Sequence, residues 1–166
     1  MSIWWSLHLR REAASVPLAR RLLLGTMETA GVDPDISFDL SVALSEACAN
    51  AVEHGGRDPG AECGAYRVTA YLDGDRCRIE VTDSGPGFPA HAVTRHRPPQ
   101  PGPAGPAGAA GSAGPSGPGL REHGRGLCLI EELADHVRFR NRPGRGAVVS
   151  FDKMLKWQDG ALLKAS

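Results

Sequence analysis

Glu46, Asn50 and His54 recur at intervals of four residues. On a helix that spacing puts a carboxylate, a carboxamide and an imidazole on one face, while Leu40, Leu44, Ala47 and Ala51 take largely the other. The Asn50 carbonyl oxygen is of the kind that hard, octahedral Mg²⁺ accepts alongside phosphate oxygens and waters. Glu46, one turn earlier, is placed to accept a proton from a nucleophile attacking a terminal phosphate. A second stretch, Asp83-Ser84-Gly85-Pro86-Gly87-Phe88, sets a carboxylate beside bare backbone, which suits a planar donor such as an adenine amino group. In the third, Gly124-Arg125-Gly126-Leu127, glycines at the opening of a helix let backbone N–H groups approach phosphate with the helix dipole behind them. Taken singly, the three stretches read equally as a solvated helix face, a tight turn and a plain helix start. Together, in this chain order, they point to a nucleotide site.

The elements that must hold these residues are visible in the periodicity. A helix is predicted from just after the Asp33-Pro34-Asp35 turn to about His54, with Gly55-Gly56 ending it. Tyr66, Val68, Ala70 and Leu72 alternate with polar neighbours, Asp73-Gly74-Asp75-Arg76 supplies a turn, and Cys77, Ile79 and Val81 alternate again. That is a strand hairpin leading into Asp83. Upstream, Trp5, Leu7 and Leu9 predict a strand, and Ser15 is placed to cap a helix running from Val16 to Ala30 with Gly31 as its stop. Downstream, Gly124-Arg125-Gly126 opens a helix carrying Leu127, Ile130 and Ala134. Val137 to Arg140 and Ala147 to Phe151 form a last strand pair turning at Pro143-Gly144-Arg145-Gly146. The expected fold is an α/β two-layer sandwich, a mostly antiparallel mixed sheet covered by about three helices on one face, in a single domain over 1–166. Residues 154–166 are expected to form a weakly structured tail.

Composition narrows the function classes. The 166 residues carry 19 Lys+Arg against 19 Asp+Glu, so the footprint of a protein living on phosphate backbones is missing and direct nucleic-acid binding is not expected. No apolar run approaches the roughly 18 residues of a membrane span, and no secretory signal is read. Cys48, Cys63, Cys77 and Cys128 lack C-x-x-C spacing, which argues against a zinc site or disulfide framework and for a cytoplasmic setting. No G-x-S-x-G elbow or G-x-x-x-x-G-K-[ST] loop is present. Trp4 and Trp5 read as core or interface residues, since no basic groove accompanies them. Of the 21 glycines and 13 prolines, fourteen lie between Pro98 and Gly119, where glycine recurs at every third position from Gly102 to Gly117. Six triplets are few for a collagen helix, and the segment reads as a solvated loop.

With these motifs in this order the chain resembles the GHKL ATPase superfamily, whose ATP-binding fold is shared by gyrase, Hsp90, histidine kinases and MutL. It is most similar to the small anti-sigma-factor serine kinases of bacteria. Leu44 to Gly55 matches the family's N-box, Asp83 to Gly87 its first glycine box, and Gly124 to Asp135 its second. The resemblance covers about residues 5 to 153 and makes 88–123 the lid loop, with the Gly/Pro-rich stretch 98–119 inside it.

The resemblance implies ATP and Mg²⁺ as cofactors, with Glu46 as general base, Asn50 on the metal and Asp83 on the adenine amino group. It implies that Gly85 and Gly87 shape the pocket base, that Gly124, Gly126 and the Leu127 amide cradle phosphates, and that Arg121 or Arg125 approaches the terminal phosphate. His54 takes a supporting role. A sigma factor and a STAS-domain antagonist are the implied partners, the first sequestered and the second phosphorylated. Family members often dimerise, which the sequence leaves open. One departure is Gly146-Ala147 where the family has Gly-Thr, a lost hydroxyl worth on the order of 1 kcal/mol of nucleotide affinity. With the unusual lid, it keeps a second reading in view, a nucleotide-gated protein-binding module without kinase turnover. A histidine-kinase catalytic half is disfavoured, because no phospho-acceptor helical domain precedes the motifs.

Overall fold

A computed structural model describes residues 2–54, 64–83, 120–142 and 146–161. In chain order these form β1 (Ser2–Arg10), α1 (Ser15–Ala30), α2 (Pro34–His54), β2 (Ala65–Asp73), β3 (Arg76–Asp83), α3 (Leu120–Leu133), β4 (His136–Arg142) and β5 (Gly146–Met154). The strands make one sheet in the order β1-β2-β3-β5-β4, and every described pairing is antiparallel, so the sheet is not mixed.

Alternation along the strands sorts their side chains onto two faces. Tyr66, Val68, Ala70 and Leu72 of β2 lie opposite Asp83, Val81, Ile79 and Cys77 of β3. All eight are buried. Val149 and Phe151 continue this inner face across β5, and Leu7 and Leu9 across β1. Against it pack Ala19, Leu23 and Met27 of α1, Leu40, Ala43, Leu44, Ala47 and Ala51 of α2, and Ile130 of α3, in one continuous core. The result is the two-layer sandwich expected, with the described helices on one face.

Three boundaries differ from expectation. Ser15 is the first residue of α1 and not its cap: the cap position is Ala14, and the Ser15 hydroxyl turns inward to Tyr66. The third helix starts at Leu120 and not at Gly124, so Leu120–His123 belong to α3, while the remainder of the expected lid lies outside the described residues. The tail is neither helical nor loose up to Ala161. Leu155 N–H bonds the Asp75 carbonyl, Asp33 N–H the Lys156 carbonyl and Gln158 N–H the Gly31 carbonyl. Trp157 Nε1 reaches Asp75 Oδ1 at 3.1 Å. Gly31 makes this closure possible. Its φ of 84° ends α1, and a Cβ there would sit 2.6 Å from the Ala161 Cβ.

Two cysteines serve the core as small apolar groups. Burial pushes the Cys48 thiol up from 9.0 to about 12, against a smaller opposing effect of its hydrogen bond with Tyr66. Burial, helped by the charge of Asp152, does the same for Cys77. Between about pH 9 and 12 these thiols ionise only in the unfolded chain, which then binds fewer protons than the folded one, so stability falls as pH rises. The denaturation midpoint is therefore expected to drop through this window, and to drop less in Cys48→Ala. Alkylation of the native protein at pH 8 followed by peptide mapping is expected to label exposed Cys128 and to spare Cys48 and Cys77.

Candidate functional site

Helix α2 is the central element. Its apolar stripe faces the sheet, which leaves Glu46 and Asn50 half-buried at the edge of the stripe, on the side where α3 packs. There α3 presents Gly126, which is buried. A Cβ at position 126 would lie 2.8 Å from Glu46 Oε2 and 3.7 Å from both Oδ1 and Nδ2 of Asn50. The two polar side chains thus converge on bare backbone. Glycine inside a helix costs about 1 kcal/mol relative to alanine, and here it gives the carboxylate room. Asn50 Nδ2 is buried with no hydrogen-bond partner among the described residues. Buried amide groups are nearly always bonded, so an unpaired one beside a carboxylate marks a place built for a polar ligand.

This donor set suits a magnesium–phosphate group. It offers hard oxygens, one from the amide and those of the carboxylate, and Mg²⁺ takes one or two such protein ligands together with phosphate oxygens and waters. Among the described residues no three His, Cys, Asp or Glu side chains converge, as a resident metal held by protein alone would require.

Three further contacts hold α2 in place, none of them foreseen from spacing. Arg11, just past β1, donates from Nε to the Ala51 carbonyl at 3.1 Å and from Nη2 to the Val52 carbonyl at 3.0 Å. A guanidinium thus satisfies the C-terminal end of α2, one turn beyond Asn50, where the helix dipole favours a cation. Tyr66, paired with Asp83 across the hairpin, bonds Ser15 Oγ at 2.6 Å and the Cys48 thiol. Burial raises the Tyr66 hydroxyl to about 12, so it stays protonated throughout the physiological range. At the far end, Lys153 Nζ donates to the Leu133 carbonyl, the last of α3, at 2.6 Å and lies 3.4 Å from Asp39 Oδ2 on α2. Residue spacing carries no signal of them, because each joins segments far apart in the chain.

Asp83 is buried at the end of β3 on the inner face, toward the helices. The register that pairs Thr82 with Val148 sets Ala147 one step on, beside Asp83. Leu127 is half-buried against the core. Arg121, Gly124 and Arg125 fall within α3, and His54 is the last residue of α2. Gly85 and Gly87 lie outside the described residues. The early start of α3 changes one expectation. Its open N–H groups are those of Leu120 to His123, so the amides of Gly124, Gly126 and Leu127 lie in the helical ladder and not at a free helix end. Gly126 contributes space here instead of a donor.

The histidine kinase-like ATPase domain matches residues 9–153. The chain is 31% identical over 150 residues to the serine-protein kinase RsbW of Staphylococcus epidermidis, covering 90% of this chain and 86% of that one. It is 31% identical over 142 residues to the serine-protein kinase RsbW of Bacillus subtilis, covering 78% and 72%. The chain belongs to the histidine kinase-like ATPase family. A crystal structure of the RsbU and RsbW domains of a Mycobacterium tuberculosis protein shares the fold, with a TM-score of 0.59 at 22% identity. That likeness covers 91% of this chain and 32% of the longer one.

Membership in this ATPase family gives the meeting of Glu46, Asn50 and Gly126 a direct test. In Gly126→Ala the added methyl meets the free end of a flexible carboxylate, and alanine favours the helix. The melting temperature is expected to hold or rise, while kcat for phosphotransfer falls about tenfold or more as Glu46 is turned away.

Proposed function

We propose that this protein is an ATP-dependent protein serine kinase and anti-sigma factor, acting in the cytoplasm, that sequesters a sigma factor and phosphorylates a STAS-domain antagonist. The observation that carries the catalytic part is the convergence of Glu46 and Asn50 on Gly126. The partners rest on the family alone. No described helix is long and apolar enough to cross a membrane.

Glu46 Oε2 takes the proton from the acceptor serine hydroxyl as its oxygen attacks the γ-phosphorus. The bond from that phosphorus to the β,γ-bridging oxygen breaks, and ADP leaves with the electron pair. Asn50 Oδ1 would hold Mg²⁺, which would supply charge neutralisation on the phosphates. Asp83, held in the buried layer beside Tyr66, accepts from the adenine amino group. Gly85 and Gly87 let the base approach the backbone. Arg121 or Arg125 approaches the terminal phosphate, and the open N–H groups at the start of α3 receive phosphate oxygens within about 9 Å of Gly126, at 1.5 Å of helix rise per residue. Burial of Asp83 strengthens its polar contact by excluding water.

Two variants test this reading. Glu46→Ala, incubated with γ-labelled ATP and a STAS-domain antagonist from the source organism, is expected to lose label transfer by about a thousandfold while keeping ATP affinity within a few fold. Unchanged transfer would remove Glu46 from the chemistry, and ATP binding without transfer in the wild type would leave the nucleotide-gated binding module. Ala147→Thr restores a hydroxyl beside Asp83 and is expected to tighten ATP binding about fivefold by calorimetry, equivalent to about 1 kcal/mol.

A further inference from the structure

Nucleotide chemistry does not account for the outer face of the sheet, which carries no described helix. Strand alternation places Trp4 of β1, Arg67 and Tyr71 of β2, and Arg138 and Arg140 of β4 on that face. The register lines them up. Arg67 lies opposite Thr82, Thr82 opposite Val148, and Val148 opposite Arg140. Two guanidinium-bearing positions therefore flank a Thr–Val strip three strand spacings wide, about 14 Å. Arg138 follows two residues away on the same side of β4, opposite Ser150. At the other edge Trp4 is paired with Tyr71, and the two are 67% and 41% exposed.

Arg10, Asp73 and Arg76 share this face, Arg78 pairs there with Glu80 at 2.8 Å, and His136 Nδ1 lies 2.9 Å from Asp152 Oδ1, so arginines outnumber carboxylates on it. Arg67, Arg138 and Arg140 are exposed and have no ion pair among the described residues. The formal charge of the whole chain is zero, so this positive surplus is local. Arginine, tryptophan and tyrosine are the side chains that dominate protein interfaces, and the arginine fork binds carboxylates two-handed.

We propose that the outer sheet face is a docking surface for an acidic protein partner, whose carboxylates engage Arg67, Arg138 and Arg140 and whose apolar side chains cover Trp4 and Tyr71. A second copy of this chain fits less well than an acidic partner, because arginines outnumber carboxylates on the face and two copies face to face would bring two positive surpluses together. Nucleic acid fits poorly as well. Glu80 and Asp152 stand among the arginines, where a phosphate backbone would meet them, and a neutral chain lacks the long-range attraction that polyanion binding uses. The face lies across the sheet from Asp83 and α2, so a partner bound there leaves the nucleotide site open. The proposal goes beyond the phosphotransfer reading and does not depend on it.

The test titrates the full-length protein into a fluorescein-labelled peptide of Glu-Glu-Leu repeats, about 20 residues long, with ATP binding measured in parallel by calorimetry. Arg138→Glu with Arg140→Glu is expected to weaken peptide binding at least about tenfold, and Trp4→Ala about threefold. Charge reversal at exposed Arg20 and Arg21 of α1 is expected to change it less than about twofold, and all these variants are expected to keep ATP affinity and melting temperature. Equal loss on reversal of Arg20 and Arg21, or no loss on reversal of Arg138 and Arg140, would overturn the proposal. So would a single-stranded DNA of the same length that binds more tightly through the same arginines, or a dimer in sedimentation that the Arg138 and Arg140 reversal dissolves. Loss of ATP binding or transfer in the wild type would sink the kinase reading and leave the docking surface standing.

Discussion

Helix α2 must satisfy two surfaces at once, and the rest of the structure is arranged around that constraint. Leu40, Leu44, Ala47 and Ala51 have to be buried against the sheet, while Glu46 and Asn50, on the same helix, have to stay polar and reachable. A helix packed on both sides would ordinarily cover them with side chains. Here the neighbouring helix offers Gly126 at the point of contact, and a single missing Cβ leaves space for a carboxylate and an amide between two packed helices. Holding that gap open demands a rigid frame, because side chains in a packed interior close small voids when the backbone allows it.

The frame comes from contacts at both ends. Arg11 binds the last carbonyls of α2, Tyr66 ties its middle to the N-terminus of α1, and Lys153 joins the end of α3 to the start of α2. Each is a polar group made inside or at the rim of the core with its partners supplied, so none leaves a buried charge unpaired. Sheet register does the remaining work. A slip of one residue in the β2–β3 hairpin would carry Asp83 from the inner to the outer face and exchange the core row for the arginine row. The turn at Asp73 to Arg76, with Gly74 at φ 56°, prevents that slip. The same alternation divides the molecule between a nucleotide side under the helices and an arginine- and aromatic-bearing side facing away from them.

Much of this was legible in residue spacing. Alternation at Tyr66 to Val81 and the helical stripe at Leu40 to Ala51 carried the elements, because periods of two and 3.6 are local properties of the backbone. The shared face of Glu46 and Asn50, and the inward phase of Asp83 on its strand, were legible for the same reason: each sits at a fixed phase of one element. Element ends were less so. Ser15 has the side chain of a cap, yet its hydroxyl turns to Tyr66, 51 residues further along the chain. Gly124 and Gly126 look like helix-opening residues, yet both lie inside α3, where Gly126 answers to Glu46 and not to local propensity. The stretch from Leu155 to Ala161 has little periodicity because its backbone bonds go to Asp75, Gly31 and Asp33, far away in the chain.

The sequence by itself determined the kinds of elements, the inner and outer sides of each strand, the chemistry available at Glu46, Asn50 and Asp83, and the family those motifs resemble. Only the tertiary structure decided that β5 lies between β3 and β4, that Arg11 ends α2, that Gly126 faces Glu46, and that Arg67 and Arg140 share a row. The division has one physical cause. Propensity and periodicity act within a turn or a strand, whereas a missing Cβ, a guanidinium on a helix end and a row across four strands depend on which distant segments the burial of apolar surface brings together.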